Sequence, residues 1–359
     1  MARSDLQWKG VRKLKRISVI VPIYNGSLYL ENTLQALLNQ PYKNIELILI
    51  DDGSQDDSYQ ICQKFAQQDE RILLIHQTNA GICAARNTGL AYATGEFVSF
   101  IDQDDAIDPN IYVYLSNKIG DADMIVGGKS MQLIDKKQLL LSEIDYSYEE
   151  KQLKDQKEIA YALFNLDHRM TFLHLWNCLY RKKIIDEYDL KFDERFRYGQ
   201  EDTLFNFNYV SKCQTIQLVP EVVYQYSQRE LTSTSLKNNP SAVKDFQIFI
   251  ETIGEIEWNE RVYPYYQKYR YTYFLRHGLN IYTQFGMNTA NQKKMLQDIQ
   301  QLLSKEKIQK PLIIESSLYY RNYLCLVSRL MEKRRYRTLN QLIYGTSFIK
   351  KMLNRVSAG

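Results

Sequence analysis

The chain has 359 residues, which at roughly 150 residues per domain is room for two domains. Apolar residues make up 45% and charged residues 25%, which excludes a mainly disordered or collagen-like chain. The longest apolar runs, such as Ile17–Ile23, fall far short of the roughly 18–20 residues of a membrane-spanning helix. Five scattered cysteines (Cys62, Cys83, Cys178, Cys213, Cys325) form no C-x-x-C pair, so they read as reduced thiols of a cytosolic protein, neither a disulfide frame nor a zinc site. No apolar signal core follows the basic N-terminus, and export is not expected. The net charge of +4 is concentrated at the ends. Nine Lys/Arg against Glu332 lie between Arg321 and Arg355, and six against Asp5 lie in the first sixteen residues. Basic ends imply an anionic partner.

The first half alternates strand and helix. Ile17–Pro22 is a β-branched run, and Ser27–Asn39 carries Leu30, Leu34, Leu37 and Leu38 at helical spacing. Ile45–Ile50 is a strand ending in Asp51-Asp52-Gly53-Ser54, followed by a helix over Asp56–Gln68. Arg71–Ile75, a helix over Ala80–Ala93, and Phe97–Ile101 continue the pattern. Asp102-Gln103-Asp104-Asp105 follows at once, Pro109 opens a fourth helix, and Asp123–Val126 is a fifth strand. This order predicts a parallel sheet with helices on both faces, with ligands beyond the carboxyl ends of its strands. Tyr24-Asn25 and both acidic clusters fall there and should share one crevice. Lys129–Glu158 reads as a polar excursion, short mixed elements run to Ser235, and Asn238-Asn239-Pro240 marks a boundary. Beyond it helical spacing and many tyrosines predict a helical domain. Its end, Ser317–Leu330 and Tyr336–Leu353, mixes leucine with Lys and Arg. That pattern fits equally a helix on an anionic bilayer, a helix packed on the core and a homo-oligomer interface. No nucleic-acid-binding module is visible, and nucleic acid is not expected as a partner.

The D-x-D-D cluster carries the strongest chemical signal. Two carboxylates one residue apart at a strand end suit a divalent cation that holds a diphosphate, and they suit equally a helix N-cap before Pro109. Asp52 reads as an acceptor for a base or ribose edge, or as a turn residue. Arg86 fits a diphosphate with its planar fork, or a solvated helix face. Asn79 is a ligand contact or a loop residue. Glu201-Asp202 is either a general base pair or a helix N-terminal acid pair. His76, His168, His174 and His277 lack metal-ligand spacing and read as structural, while Trp176 either stacks on a sugar or packs in the core.

Six ordered motifs over residues 15–235 resemble the family 2 glycosyltransferases of the GT-A fold. They are S-V-I-V-P-I-Y-N (Ser18–Asn25), D-D-G-S-Q-D (Asp51–Asp56), N-A-G-I-C-A-A-R-N-T-G (Asn79–Gly89), G-E-F-V-S-F-I-D-Q-D-D (Gly95–Asp105), W-N-C-L-Y-R (Trp176–Arg181) and G-Q-E-D-T-L-F (Gly199–Phe205). The resemblance implies a Rossmann-like, mostly parallel α/β sheet over residues 16–236. A basic tail (1–15) would precede it and a helical domain (237–359) would follow.

By the same resemblance, Pro22, Tyr24 and Asp52 frame the uracil of a UDP-sugar, with Asn25 and Asn79 in the nucleotide-sugar site. Asp102 contacts the ribose and helps organise the metal site, Asp104 ligates Mn²⁺ or Mg²⁺, and Arg86 lies near the diphosphate or the ribose side of the donor. Arg229, Ser233 and Ser235 close over phosphates, and Asp202 is the general base with Glu201 beside it. Relatives often carry G-E-D where this chain has Gly199-Gln200-Glu201-Asp202, so both acids stand as candidates. They often carry a basic residue at Ser227 and Lys at Cys178. No Q-x-x-R-W motif follows, which points away from a processive synthase. The implied activity is metal-dependent, inverting, non-processive transfer of a hexose or N-acetylhexosamine to a glycan or lipid-linked acceptor. It would take place in the cytoplasm or at the inner membrane face. The rivals are a non-catalytic sugar-binding scaffold and a sugar-1-phosphate nucleotidyltransferase; the second wants a glycine-rich basic turn that Pro22–Gly26 does not supply.

Overall fold

A computed structural model describes residues 15–137, 139–164, 174–196, 199–229, 242–258, 260–284, 292–305 and 318–345. The expected rhythm is present. β1 (Ile17–Ile23), α1 (Ser27–Leu38), β2 (Ile45–Asp51), α2 (Ser58–Gln68), β3 (Ile72–His76), α3 (Ile82–Tyr92) and β4 (Phe97–Phe100) follow in order. β1 pairs in parallel with β2 and β4, and β2 with β3. Successive side chains of a strand point to opposite faces. Val19, Val21, Leu47 and Leu49 therefore meet Leu30, Leu34 and Leu37 of α1 on one face. Ile20, Ile48 and Ile50 meet Cys83, Ala85 and Leu90 of α3 on the other. Gly89 lets α3 close on the sheet, for a Cβ there would stand 2.4 Å from Ile20.

Beyond β4 the sheet becomes mixed. It contains β5 (Ala106–Ile107), β6 (Met124–Ile134), β7 (Leu140–Tyr146), β8 (Lys151–Leu153), β9 (Cys178–Arg181) and β10 (Ile216–Arg229), with α4 (Ile111–Lys118), α5 (Gln156–Phe164), α6 (Lys182–Glu187) and α7 (Glu201–Lys212) between them. The strand order is β3-β2-β1-β4-β9-β6-β10-β5, with β7 on β6 and β8 on β10. Two expectations are corrected. The polar excursion is the end of β6, the hairpin strand β7 and β8, which pairs with the start of β10. Pro109 does not open α4: Asn110 caps it, held by Asp108, whose carboxylate accepts from the Asn110 N–H at 2.7 Å.

The C-terminal part is helical, with α8 (Ala242–Glu255), α9 (Tyr263–Gln284), α10 (Gln292–Lys305), α11 (Leu318–Glu332) and α12 (336–345). α8 and α9 dock on α7, where Phe207 packs edge-on against Phe249, Trp258 and Tyr273. One apolar core is continuous from the α3 face of the sheet to α11. Of the readings for the basic end, packing on the core is the one seen over the described residues, with Leu324, Leu330, Leu339 and Ile343 buried. The Asn238-Asn239-Pro240 boundary, residues 1–14 and residues 346–359 lie outside the described residues. All five cysteines are free thiols, four of them buried. Among the described residues no helix is long and apolar enough to cross a membrane.

Candidate active site

The carboxyl ends of β1, β2 and β4 lie side by side, with Ile23 opposite Asp51 and Ile20 opposite Phe100. The segments that leave them meet as expected. Pro22 is buried in β1, and Tyr24 stands half-exposed at its end. Gln103, which the sequence reading passed over, clasps Tyr24 from both sides: it accepts from the Tyr24 N–H and donates to the Tyr24 carbonyl, each at 3.0 Å. The left-handed backbone of Asn25 (φ 48°) turns its Oδ1 onto the Gln55 N–H at 2.7 Å.

Asp52 does more for its own chain than expected. Its carboxylate accepts from Gln77 Nε2 at 2.8 Å, the Ala80 N–H at 2.9 Å and the Gly81 N–H at 2.8 Å. A carboxylate has about four acceptor positions, so Asp52 is mostly committed to holding the loop before α3. Asn79 reinforces the grip by donating to the Asp52 carbonyl at 2.9 Å. The loop needs positive φ at Gly53 (73°) and Gly81 (96°), and a side chain at Gly53 would meet the Asn79 backbone.

The D-x-D-D cluster divides its work. Asp102 and Asp104 are 27% and 35% exposed, and each gives one oxygen to an arginine at 3.1 Å, Arg86 and Arg229 respectively. Arg229 also donates to the Asp104 carbonyl at 2.8 Å and lies over the Tyr29 ring at 4.2 Å. Burial, then the neighbouring charge of Asp102, raises the Asp104 pKa, and Arg229 opposes both. Asp105 is buried and structural: it accepts from Tyr224 Oη at 2.9 Å and the Ser227 N–H at 3.0 Å, tying β10 to the cluster.

Arg86 is not on a solvated helix face. It is almost fully buried in α3 and bridges the two acidic groups, donating to Asp102 Oδ1 and, at 2.9 Å, to Glu201 Oε1. The side chain also covers the Phe192 ring. Glu201 and Asp202 form the first turn of α7, entered through Gly199 and Gln200 at φ 105° and 78°. Burial and the charge of Asp202 push Glu201 above the usual carboxylate range, against the pull of Arg86. Burial also opposes ionisation of Asp202, yet the hydrogen bond and charge of His174 and the charge of Arg86 outweigh it and hold Asp202 low. The two adjacent carboxyls are thus driven in opposite directions, Glu201 up and Asp202 down.

His174 is therefore no bystander. Its Nδ1 lies 3.5 Å from Asp202 Oδ2, and its ring stacks on Trp176 at 4.7 Å. Trp176 is itself buried and stacked on Tyr224 at 4.3 Å and on Tyr226, which settles it as a packing residue. Lys129 of β6 completes this wall, with its ammonium 5.2 Å from the Trp176 ring centre and its pKa lowered by burial to about 7. Neither His174 nor Lys129 has a sequence signature, because their contacts span β6, β9 and α7. His76 pairs with Asp51 at 2.6 Å and His277 is buried among aromatic rings. His168, Ser233 and Ser235 lie outside the described residues.

Fold and cluster define a class: an α/β protein whose strand ends present an acidic cleft braced by buried arginine. Residues 18–189 match the family described as Glycosyl transferase family 2. The chain is similar to the uncharacterized glycosyltransferase EpsJ of Bacillus subtilis, 28% identical over 233 residues covering 64% of this chain and 66% of EpsJ. It is similar to the glycosyltransferase EpsH of the same organism, 32% identical over 212 residues covering 58% of this chain and 60% of EpsH. It thus spans less than two thirds of either relative. Among solved structures, S. aureus TarS (residues 1–349) in complex with UDP-GlcNAc shares the fold, with a TM-score of 0.67, 19% identity, and coverage of 92% of this chain and 91% of that one.

Proposed function

We propose that the protein transfers one hexose or N-acetylhexosamine from a UDP-sugar to a hydroxyl of a glycan or lipid-linked saccharide, with inversion and without processivity. Residues 16–236 would carry the transfer and 237–359 the supporting helices. The observation that carries this reading is the split acid pair of α7. Asp202 is held ionised in a cleft that Arg86 links directly to Asp102. An acceptor hydroxyl is a poor nucleophile until its proton leaves, and a carboxylate within hydrogen-bond reach supplies roughly 10²–10⁴-fold by taking it. Asp202 suits that task, while Glu201, paired with Arg86, positions the cleft. Uridine is favoured by the UDP-GlcNAc bound to a protein of the same fold.

Mn²⁺ or Mg²⁺ fits the donor side. Asp102 and Asp104 are partly exposed, and the charge of one raises the pKa of the other, a repulsion that a cation relieves. No group of three or more His, Cys, Asp or Glu is placed to hold a metal among the described residues. A cation here would take its remaining ligands from phosphate and water, as Mg²⁺ commonly does. When bound, it neutralises charge on the departing diphosphate. Arg86 and Arg229 fix the two carboxylates in place.

The test is UDP release from a panel of nucleotide sugars with Mn²⁺, Mg²⁺ or EDTA, for wild type and Asp104→Ala. Metal-dependent turnover of one UDP-sugar, lost in the variant, is the expected result. Unchanged turnover in Asp104→Ala would remove Asp104 from the donor site. A nucleotide sugar that binds by calorimetry but never turns over, with acceptor saccharides present, favours the scaffold.

A further inference from the structure

β6 and β7 form a hairpin in the sheet, with Lys129 opposite Tyr146 and Ile134 opposite Leu140. On the other side of β6, β10 runs alongside it, with Arg229 opposite Ile134. The turn beyond Ile134 therefore rises from the strand end at which Arg229 meets Asp104. Asp135 closes that turn: its N–H donates to the Leu139 carbonyl at 2.9 Å, and its carboxylate accepts from the Lys137 and Leu139 N–H groups at 2.7 and 2.8 Å. The acid is spent inside the turn, while Lys136 and Lys137 are exposed. Glu143, further back, is likewise engaged by Ser130 and Gln132, each at 2.8 Å.

Four apolar side chains at this tip stay at least half-exposed. Leu139, Leu140, Leu141 and Ile144 are 60%, 53%, 50% and 53% exposed. Single exposed leucines are ordinary, but a cluster of this density marks a contact surface. The register puts Ile144, opposite Met131, on one face of the hairpin and Leu140, opposite Ile134 beyond a bulge at Leu141, on the other. Each face thus carries an apolar side chain that is half-exposed. A protein lying flat on the strand would cover one face and leave the other wet, whereas the acyl boundary of a bilayer surrounds a tip. A second copy paired antiparallel about the middle of β7 would also set Glu143 against Glu143.

We propose that the β6–β7 tip seats in the headgroup–acyl boundary of a lipid bilayer. Leu139, Leu140, Leu141 and Ile144 enter the apolar layer, and Lys136 and Lys137 meet anionic headgroups. The free peptide edge of β7 confines the seat to the interface, since unpaired N–H and C=O groups are costly in hydrocarbon. A seated tip holds the end of β10, and the cleft beside it, next to the lipid. This inference does not depend on the transfer reading, because vesicle binding needs neither donor nor turnover.

The test uses the full chain carrying Leu140→Cys in a Cys325→Ser background, labelled with an environment-sensitive fluorophore. It is mixed with vesicles of phosphatidylcholine, or of phosphatidylcholine and phosphatidylglycerol in about equal parts. The expected result is a blue shift and quenching by doxyl-lipids, stronger on the anionic vesicles. Replacing Leu139, Leu140 and Leu141 together by Ser should lower vesicle partitioning at least ~10-fold. The melting temperature should change little, since these side chains are at least half-exposed. Three outcomes overturn the proposal: no binding to either vesicle, binding with an unshifted label, or a shift that follows protein concentration without lipid. The second would assign membrane contact to another surface, and the third would assign the tip to a second copy.

Discussion

Arg86→Leu tests the central brace of the cleft. The guanidinium is nearly sealed from water and holds Glu201, which is also buried and whose Oε2 has no hydrogen-bond partner among the described residues. Removing one partner of a buried pair strands the other charge, at about 3–5 kcal/mol. The contact with Asp102 adds little, because that carboxylate is 27% exposed and water screens it. The expected loss is therefore about 3 kcal/mol at neutral pH, read as the shift in urea midpoint multiplied by the slope. The pH dependence has a definite sign. Glu201 already titrates above its usual range in the folded protein, and losing Arg86 raises it further. A raised carboxyl contributes stability below its unfolded pKa and loses it as pH rises through the folded one. The gap between variant and wild type should thus narrow toward pH 4–5, at about the ordinary Glu value. Adding Glu201→Gln to the variant should recover at least ~1.5 kcal/mol at neutral pH, about half of the loss, by removing the stranded charge. A loss below about 1 kcal/mol, or one that is equal at both pH values, would refute the brace.

Asp202→Asn should leave UDP-sugar affinity within a few-fold and cut transfer at least about 10²-fold; near-normal transfer would move the base elsewhere. His174→Ala should shift the acidic limb of the kcat/KM profile to higher pH, since it removes the hydrogen bond and charge that lower Asp202, while His174→Gln should restore part of the shift. An unmoved limb would leave His174 a packing residue. Trp176→Ala should destabilise by about 3–5 kcal/mol through lost core packing. Trp176→Phe should fold and keep its acceptor KM, and a raised KM would return Trp176 to the acceptor site. Asp52→Ala should weaken donor binding by loosening the loop at Ala80 and Gly81, visible as faster amide exchange there; unchanged exchange would deny Asp52 that role.

The parallel half of the sheet was legible because its strands are buried on both faces. Ile17–Ile23 and Ile45–Asp51 read as continuous apolar runs, and the helices between them keep a leucine period. β7 was not legible, since six of its seven residues are exposed and its alternation of leucine, serine and acid matches no buried face. Within the site, the motif acids and Arg86 stood out by spacing, but their partners did not. A buried arginine in Ile82–Tyr92 looks like any polar position until Glu201 arrives from 115 residues away. The same holds for His174 on Asp202, where one imidazole among four acquires meaning only from α7 beside it. Asp52 was recognised as important, yet its loop-holding work depends on backbone N–H groups that carry no side-chain signature.

α7 is clamped from two directions, by Phe205 stacked on Phe192 and edge-on to Phe100, and by Phe207 against α8 and α9. The helix that carries the acid pair in its first turn is thus the hinge pin of the whole apolar interior. Its amides should belong to the slowest-exchanging set, opening only when the molecule opens globally. The C-terminal helices then share one cooperative melting event with the sheet instead of detaching ahead of it. Substitutions at Phe249 or Tyr273, which pack on Phe207, would reach the cleft by loosening the pin that carries Glu201 and Asp202.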